Sequence, residues 1–197
     1  SVGRVTTRSG VKFVPLAKRT FGVDAPESVA AFREGGGAPN AKPQVGPVVI
    51  SEIMYDPPGG SEYEYLELVN LGLGAIDLAG VKFVATEPFD ELVLSNRTLN
   101  VGERVVVVNN SVAMQARYGP SIVPFIAGEW AGGKLSNEGE RITLVDPGDQ
   151  LILSFAYDVD GRWPARAGDE GGSSLEVLDA FADLEDPANW QASSEYL

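Results

Sequence analysis

Val48-Val49-Ile50-Ser51-Glu52-Ile53-Met54-Tyr55, closed by Asp56-Pro57-Pro58-Gly59-Gly60, is the stretch on which the fold turns. A short apolar run, β-branched at its start and stopped by a proline–glycine cluster, is a strand signal. The next segment, Tyr63 to Asn70, alternates: Leu66 and Leu68 share one face, and Tyr65, Glu67 and Val69 share the other. The same signal then recurs at short intervals. Ile76 to Leu78 with Val81 to Val84 read as a further strand pair, and Leu92 to Leu94, Arg104 to Asn109, Ile122 to Ile126, Arg141 to Val145 and Leu151 to Tyr157 read as strands. Val112 to Tyr118 reads as a short helix closed by Gly119-Pro120. About nine strands with so little helix predict an all-β fold of two antiparallel sheets packed face to face. A closed barrel shares this pattern, and strand spacing alone leaves both open.

Composition agrees and removes several kinds of chemistry. Glycine (23) and proline (13) are frequent among 197 residues, as many turns require, and 44% apolar content supports a real core. No run approaches the roughly 18 apolar residues of a membrane span. There is no cysteine, hence no disulfide, thiolate metal site or cysteine nucleophile. There is no histidine either, so a Ser-His-Asp triad is impossible and the commonest zinc ligand is missing. The net charge of −13 is unevenly spread. Residues 1–46 hold seven basic and three acidic side chains, a net +4; the rest hold eight and 25, a net −17. A body this acidic repels phosphate backbones, which argues against nucleic acid as a partner.

The basic segment reads differently from the rest. Val11 to Leu16 is a candidate edge strand, since Pro15 disfavours a central position. Pro26 to Arg33 reads as a short helix stopped by Gly35-Gly36-Gly37, and Ala38 to Pro47 as a linker with three prolines. The expected organisation is a basic segment at 1–46, ordered by packing on this domain or on a neighbouring copy, followed by a β-domain at 47–197. The Ser1 to Arg4 stretch lacks the apolar core of a signal peptide.

Ile50-Ser51-Glu52-Ile53-Met54-Tyr55-Asp56-Pro57-Pro58-Gly59 resembles the opening of the lamin tail domain family, and Glu64 to Asn70 and Ile76 to Gly80 resemble its next two blocks. The likeness continues through Val101-Gly102-Glu103, Gly128-Glu129-Trp130, Leu135 to Glu140 and Ile142-Thr143-Leu144. It ends with Tyr157-Asp158, Trp163-Pro164, Gly172 to Glu176 and Asn189-Trp190, covering about residues 47–193. Each block is only a strand and a turn; their order is the specific feature. One departure is Val81, where an aromatic residue often follows the turn, with Phe83 nearby to fill the space. The resemblance implies an immunoglobulin-like β-sandwich without chemistry of its own. It further implies an interaction or spacer module of a large bacterial secreted or cell-surface protein. The implied partners are adjacent domains, identical copies or envelope components. Ser1 to Arg4 and Thr20 to Asp24 resemble the closing segment of a preceding copy, as in a tandem array.

Candidate sites each have a plainer structural reading beside them. Asp158-Val159-Asp160-Gly161, with Asp146-Pro147-Gly148-Asp149 upstream, offers carboxylates for calcium, which takes six to eight oxygen ligands. Gly161 is followed by Arg162-Trp163-Pro164 rather than further ligands, so two β-turns explain the same residues. Asp183, Glu185 and Asp186 could chelate too, though a helix start or polar loop accounts for them. Glu64 with Glu67, or Glu52 with Glu67, would be the carboxylate pair of a glycosidase if two of them faced one cleft. Trp130, Trp163 and Trp190, with Tyr63, Tyr65 and Tyr157, are either a platform for sugars or peptides or parts of the core. Ser173 and Ser174 lack an activating base and read as turn residues. No catalytic residue and no cofactor is assigned. The leading function is the non-catalytic module; the alternatives are a calcium-dependent adhesive or carbohydrate-binding module and a carboxylate hydrolase.

Overall fold

The computed structural model describes residues 2–7, 10–15, 48–84, 92–130, 132–168 and 172–194. The chain divides into two units, residues 1–45 and 46–197. In the first, β1 (Val2–Thr7) and β2 (Gly10–Pro15) form an antiparallel hairpin, in register from Val2 opposite Pro15 to Thr7 opposite Gly10. The edge strand expected at Val11 to Leu16 is β2, with a partner that sequence reading did not find. The helix expected at Pro26 to Arg33 and the linker at Ala38 to Pro47 lie outside the described residues.

The second unit holds twelve strands among its described residues. The larger sheet has six: β3 (Val48–Met54), β4 (Tyr65–Asn70), β9 (Arg104–Val108), β10 (Ile126–Glu129), β13 (Leu175–Val177) and β14 (Trp190–Ala192), in the order β10-β9-β4-β3-β13-β14. The second sheet has the order β12-β11-β6-β7, built from β6 (Lys82–Phe83), β7 (Leu92–Val93), β11 (Glu140–Val145) and β12 (Leu151–Tyr157). β5 (Ile76–Asp77) pairs with β8 (Thr98–Leu99) in a small separate ladder, not with β6 as its neighbouring place in sequence suggested, because β6 is taken up by β7 and β11. The two main sheets are open and share a core, so the sandwich holds and the barrel does not.

Alternation explains the inner layer. Ile53, Leu66 and Val107 sit opposite one another across β3, β4 and β9, as do Ile50, Leu68 and Val105, and all six are buried. Leu144, Phe155 and Phe83 of the other sheet are also buried, and its strand β12 touches β3. Aromatic pairs bridge the layers: Tyr55 with Tyr157 at 5.4 Å between ring centroids, and Phe155 with Trp190 at 5.8 Å. Val81 and Phe83 are both buried.

Two corrections concern strand direction and position. Helix α1 (Ser111–Tyr118), capped by the Asn110 side chain accepting from the Ala113 N–H at 2.9 Å, lies where sequence placed it. It connects β9 to β10, and these two strands run parallel, so the larger sheet is mixed rather than wholly antiparallel. The segment expected as a strand from Ile122 is a 3-10 turn, Pro120–Phe125, with the strand starting at Ile126. Pro120 and Pro124 supply no N–H to a ladder, which explains the delay. Sequence reading also missed β8, β13 and β14, whose two or three residues are too few to show alternation.

Candidate binding cleft on the outer face of the larger sheet

The outer face of the six-stranded sheet owes its chemistry to a β-bulge. Ile50 pairs with Leu68, but Glu52 pairs with Glu67, so Ser51 is an extra residue on β3. Strict alternation from Ile50 would turn Glu52 into the core. The bulge turns it outward and lets Ile53 point inward. The register then lines up Gln191, Glu176, Glu52, Glu67 and Val106 as one row across β14, β13, β3, β4 and β9.

Glu52 and Glu67 are both held in place. The Tyr65 hydroxyl donates to Glu52 Oε1 at 2.6 Å and the Ser174 hydroxyl donates to the same oxygen at 2.5 Å. Burial, against those two hydrogen bonds and with added repulsion from Glu67 and Glu176, raises the Glu52 pKa above the ordinary carboxylate range. Burial and the adjacent Glu52 carboxylate push the Tyr65 phenol far up, so it remains a donor. Glu67 Oε1 accepts from the Ser51 hydroxyl at 2.6 Å and from Arg104 Nε at 2.9 Å. Ser174 is fixed in turn: its N–H donates to Ser193 Oγ at 3.0 Å, and the Ser173 hydroxyl donates to the Ser193 carbonyl at 3.2 Å. Ser173 and Ser174 are therefore buried parts of the site's support, which corrects their reading as turn residues.

Around this row lies an open cleft of about 310 Å3. Its floor is Glu52, Glu67, Glu176, Ser174 and Met54. Helix α1 and the following 3-10 turn supply one wall through Met114, Tyr118 and Ile122, facing Tyr65 and Val106. Sequence reading singled out Glu52, Tyr65, Glu67 and Ser174 but not Glu176, Met114, Tyr118 or Ile122. The polar–apolar–polar order of Ser174-Leu175-Glu176 was the available signal that two more polar groups share one face.

Of the carboxylate pairs proposed for hydrolysis, only Glu52 and Glu67 meet in this cleft. They rise side by side from adjacent strands on one surface. Glu64 is elsewhere. It is buried just before β4, where its Oε2 accepts from the Leu135 N–H at 2.8 Å and from Asn109 Nδ2 at 3.4 Å. Its pKa is pushed up to about 7, chiefly by burial. Beside it Glu140, also raised to about 7 by burial, accepts from the Ser136 N–H at 3.0 Å. The Tyr157 hydroxyl lies 2.7 Å from the Ser136 carbonyl and 2.9 Å from Glu140 Oε1. Together these groups pin residues 135–140 to the sandwich.

The calcium candidates do not assemble. Asp146 and Asp149 sit in the β11–β12 turn, while Asp158 and Asp160 follow the far end of β12, so the seven residues Leu151–Tyr157 separate the pairs. At about 3.3 Å per residue that is roughly 20 Å. Asp146 Oδ1 accepts from the N–H groups of Gly148 and Gln150, and Asp149 pairs with Lys82 at 2.8 Å. Asp158 Oδ1 accepts from the N–H groups of Val159 and Asp160. Asp183 and Asp186 accept likewise from Glu185 and Ala188, and Glu185 pairs with Arg141. Among the described residues no three acidic groups are grouped as a metal ion requires. Trp130, Trp163 and Trp190 are all buried, and Trp190 Nε1 donates to the Leu184 carbonyl at 2.9 Å, so the core reading of the tryptophans stands against the platform. Among the described residues no helix is long and apolar enough to cross a membrane.

Comparison with curated proteins and with solved structures returns no match. The family model of the Lamin Tail Domain matches residues 41–158, more than half of the chain. The match ends before the blocks from Trp163 to Trp190, although β13 and β14 complete the same sheet. With the sandwich and the ordered strand–turn series both in place, this chain belongs to the lamin tail domain family.

Proposed function

We propose that the chain is a non-catalytic interaction module of a large bacterial extracellular or cell-surface protein, making domain–domain or protein–protein contacts. The family supports the interaction role. The observation that carries it is the outer-face cleft. Its carboxylates are immobilised on the cleft floor by hydroxyl donors, an arrangement suited to holding a partner. The lack of histidine and cysteine points the same way. The adjacent basic segment at 1–46, as a piece of a preceding repeat, would fit tandem copies of the domain. No observation favours a calcium-dependent adhesive over this reading, because the candidate aspartates serve two separate turns.

The test is deletion of residues 46–197 from the protein as its own cell makes it, followed by fractionation into cytoplasm, envelope and medium. The reading expects the intact protein outside the cytoplasm. It also expects several-fold loss of retention or of association with its partner domain on deletion. A cytoplasmic protein, or unchanged association, would overturn it.

A further inference from the structure

We propose that the outer-face cleft binds the side chain of an arginine or lysine presented by a partner polypeptide. The inference rests on the interaction reading and names the chemistry of the contact. Glu176, Glu52 and Glu67 stand opposite one another on three neighbouring strands. Like charges directly opposed across a ladder are unfavourable, so the row opposes folding while empty. Its ends have partial relief, Glu67 from Arg104 at 2.9 Å and Glu176 from the Gln191 amide at 3.1 Å. The centre has none of that kind. Glu52 receives only hydroxyl donors, both at Oε1, and among the described residues no donor reaches Oε2. A cation seated over Glu52 satisfies that oxygen and relieves the whole row.

The shape of the cleft selects the kind of cation. Strands lie about 4.7–4.9 Å apart, so the row spans roughly 10 Å, far wider than a calcium shell with bonds of about 2.3–2.6 Å. A guanidinium or ammonium on a long aliphatic stem fits better. The stem has Val106, Met114 and Ile122 to lie against, and Tyr118 adds an aromatic ring to the lining. The volume of about 310 Å3 is near the lower bound of ordinary ligand sites, room for one long side chain and a little water. The site is built from beneath, since Ser174, at 1% exposure, lines the cleft and anchors Glu52. An anionic partner is excluded by the same charges.

The experiment is an amide-resolved NMR titration of the full 197-residue chain at low salt. The probes are N-acetyl-arginine methylamide, N-acetyl-lysine methylamide and N-acetyl-citrulline methylamide, the last being the neutral counterpart of arginine. Saturable shifts confined to residues around Glu52, Glu67, Ser174 and Glu176 are expected for the two cations, with citrulline at least tenfold weaker. The E52Q/E176Q double variant should bind arginine at least tenfold more weakly, and E138Q should bind as the unaltered chain does. Equal binding of citrulline, shifts scattered over the acidic surface, or the same localised shifts with calcium chloride would overturn the proposal. The citrulline comparison needs no variant, so a misfolded double variant leaves the test decisive. If arginine fails to bind while deletion of 46–197 still abolishes retention, the cleft inference falls and the interaction reading stands. If arginine binds but deletion changes nothing, the reverse holds.

Discussion

Glu64 and Glu140 are carboxylates kept beneath the 135–140 loop, and burial lifts both from an ordinary pKa of 4.5 to about 7. The Ser136 N–H and the Tyr157 hydroxyl both donate to Glu140 and oppose that rise, but burial outweighs them. The groups facing this pair are Lys134, which lowers the Glu64 pKa, and Tyr55, which adds to the shift of Tyr157. Since the folded pKa exceeds the unfolded one, the native state binds more protons between pH 4.5 and 7. Their stabilisation is therefore full below about 4.5 and is lost as pH rises through 7. Thermal unfolding should show a Tm higher at pH 5 than at pH 8, by an effect on the order of 1–3 kcal/mol, and the E64Q/E140Q variant should flatten that slope. A slope unchanged by the two substitutions would refute the assignment. Gly139 belongs to the same loop: its φ is +85°, and a Cβ there would come within 2.6 Å of the Tyr157 carbonyl oxygen. Gly102 has a similar φ of +76° with open space around it. Gly139→Ala should therefore cost about 3 kcal/mol and Gly102→Ala about 1, measured by urea unfolding. Similar costs at the two positions would contradict the close approach.

At the scale of elements, strands with several alternating residues were legible because burial imposes a period of two. Leu66 and Leu68 against Tyr65 and Glu67 is the clearest case, and Arg104 to Asn109 another. The bulge at Ser51 was not legible. It sits in Val48-Val49-Ile50-Ser51-Glu52, where both faces are buried at the start and no parity shows, yet it decides that Glu52 reaches the cleft. The parallel β9–β10 pair was hidden for a different reason. Direction depends on a crossover through α1, and sequence revealed the helix without the side of the sheet it covers. That helix matters to function because Met114, buried on its inner side, walls the cleft. Met114→Ala should cost about 2–4 kcal/mol through the cavity it leaves. Asn110→Ala, which removes only the helix cap, should cost about 1. Only Met114→Ala should also weaken arginine binding, since it alone removes a wall of the site. Chemical denaturation and the NMR titration check both parts, and equal binding by the two variants would argue against the helix as a wall.

For the molecule as a whole, composition excluded more than it assigned. Missing histidine and cysteine removed the Ser-His-Asp triad and thiolate chemistry, and 25 acidic side chains beyond residue 46 argued against nucleic acid. What it could not convey was that three of those acids line up on one face, because the alignment arises from register among β13, β3 and β4, and β13 is far from the other two in sequence. The family likeness located the sandwich for the same reason that it left the cleft unread: it follows strands and turns, not the side chains that register brings to one face. The acidic row serves a cationic partner and works against folding when empty. Thermal unfolding of Glu52→Gln at pH 7.5 tests it most directly, because glutamine keeps an oxygen for the Tyr65 and Ser174 hydroxyls while removing the charge. The account expects Tm to rise by about 2–4 °C, equivalent to about 1 kcal/mol, and the difference to vanish near pH 4, where Glu52 itself is protonated. A Tm lower than that of the unaltered chain at pH 7.5 would contradict it, because the carboxylate would then be serving the fold.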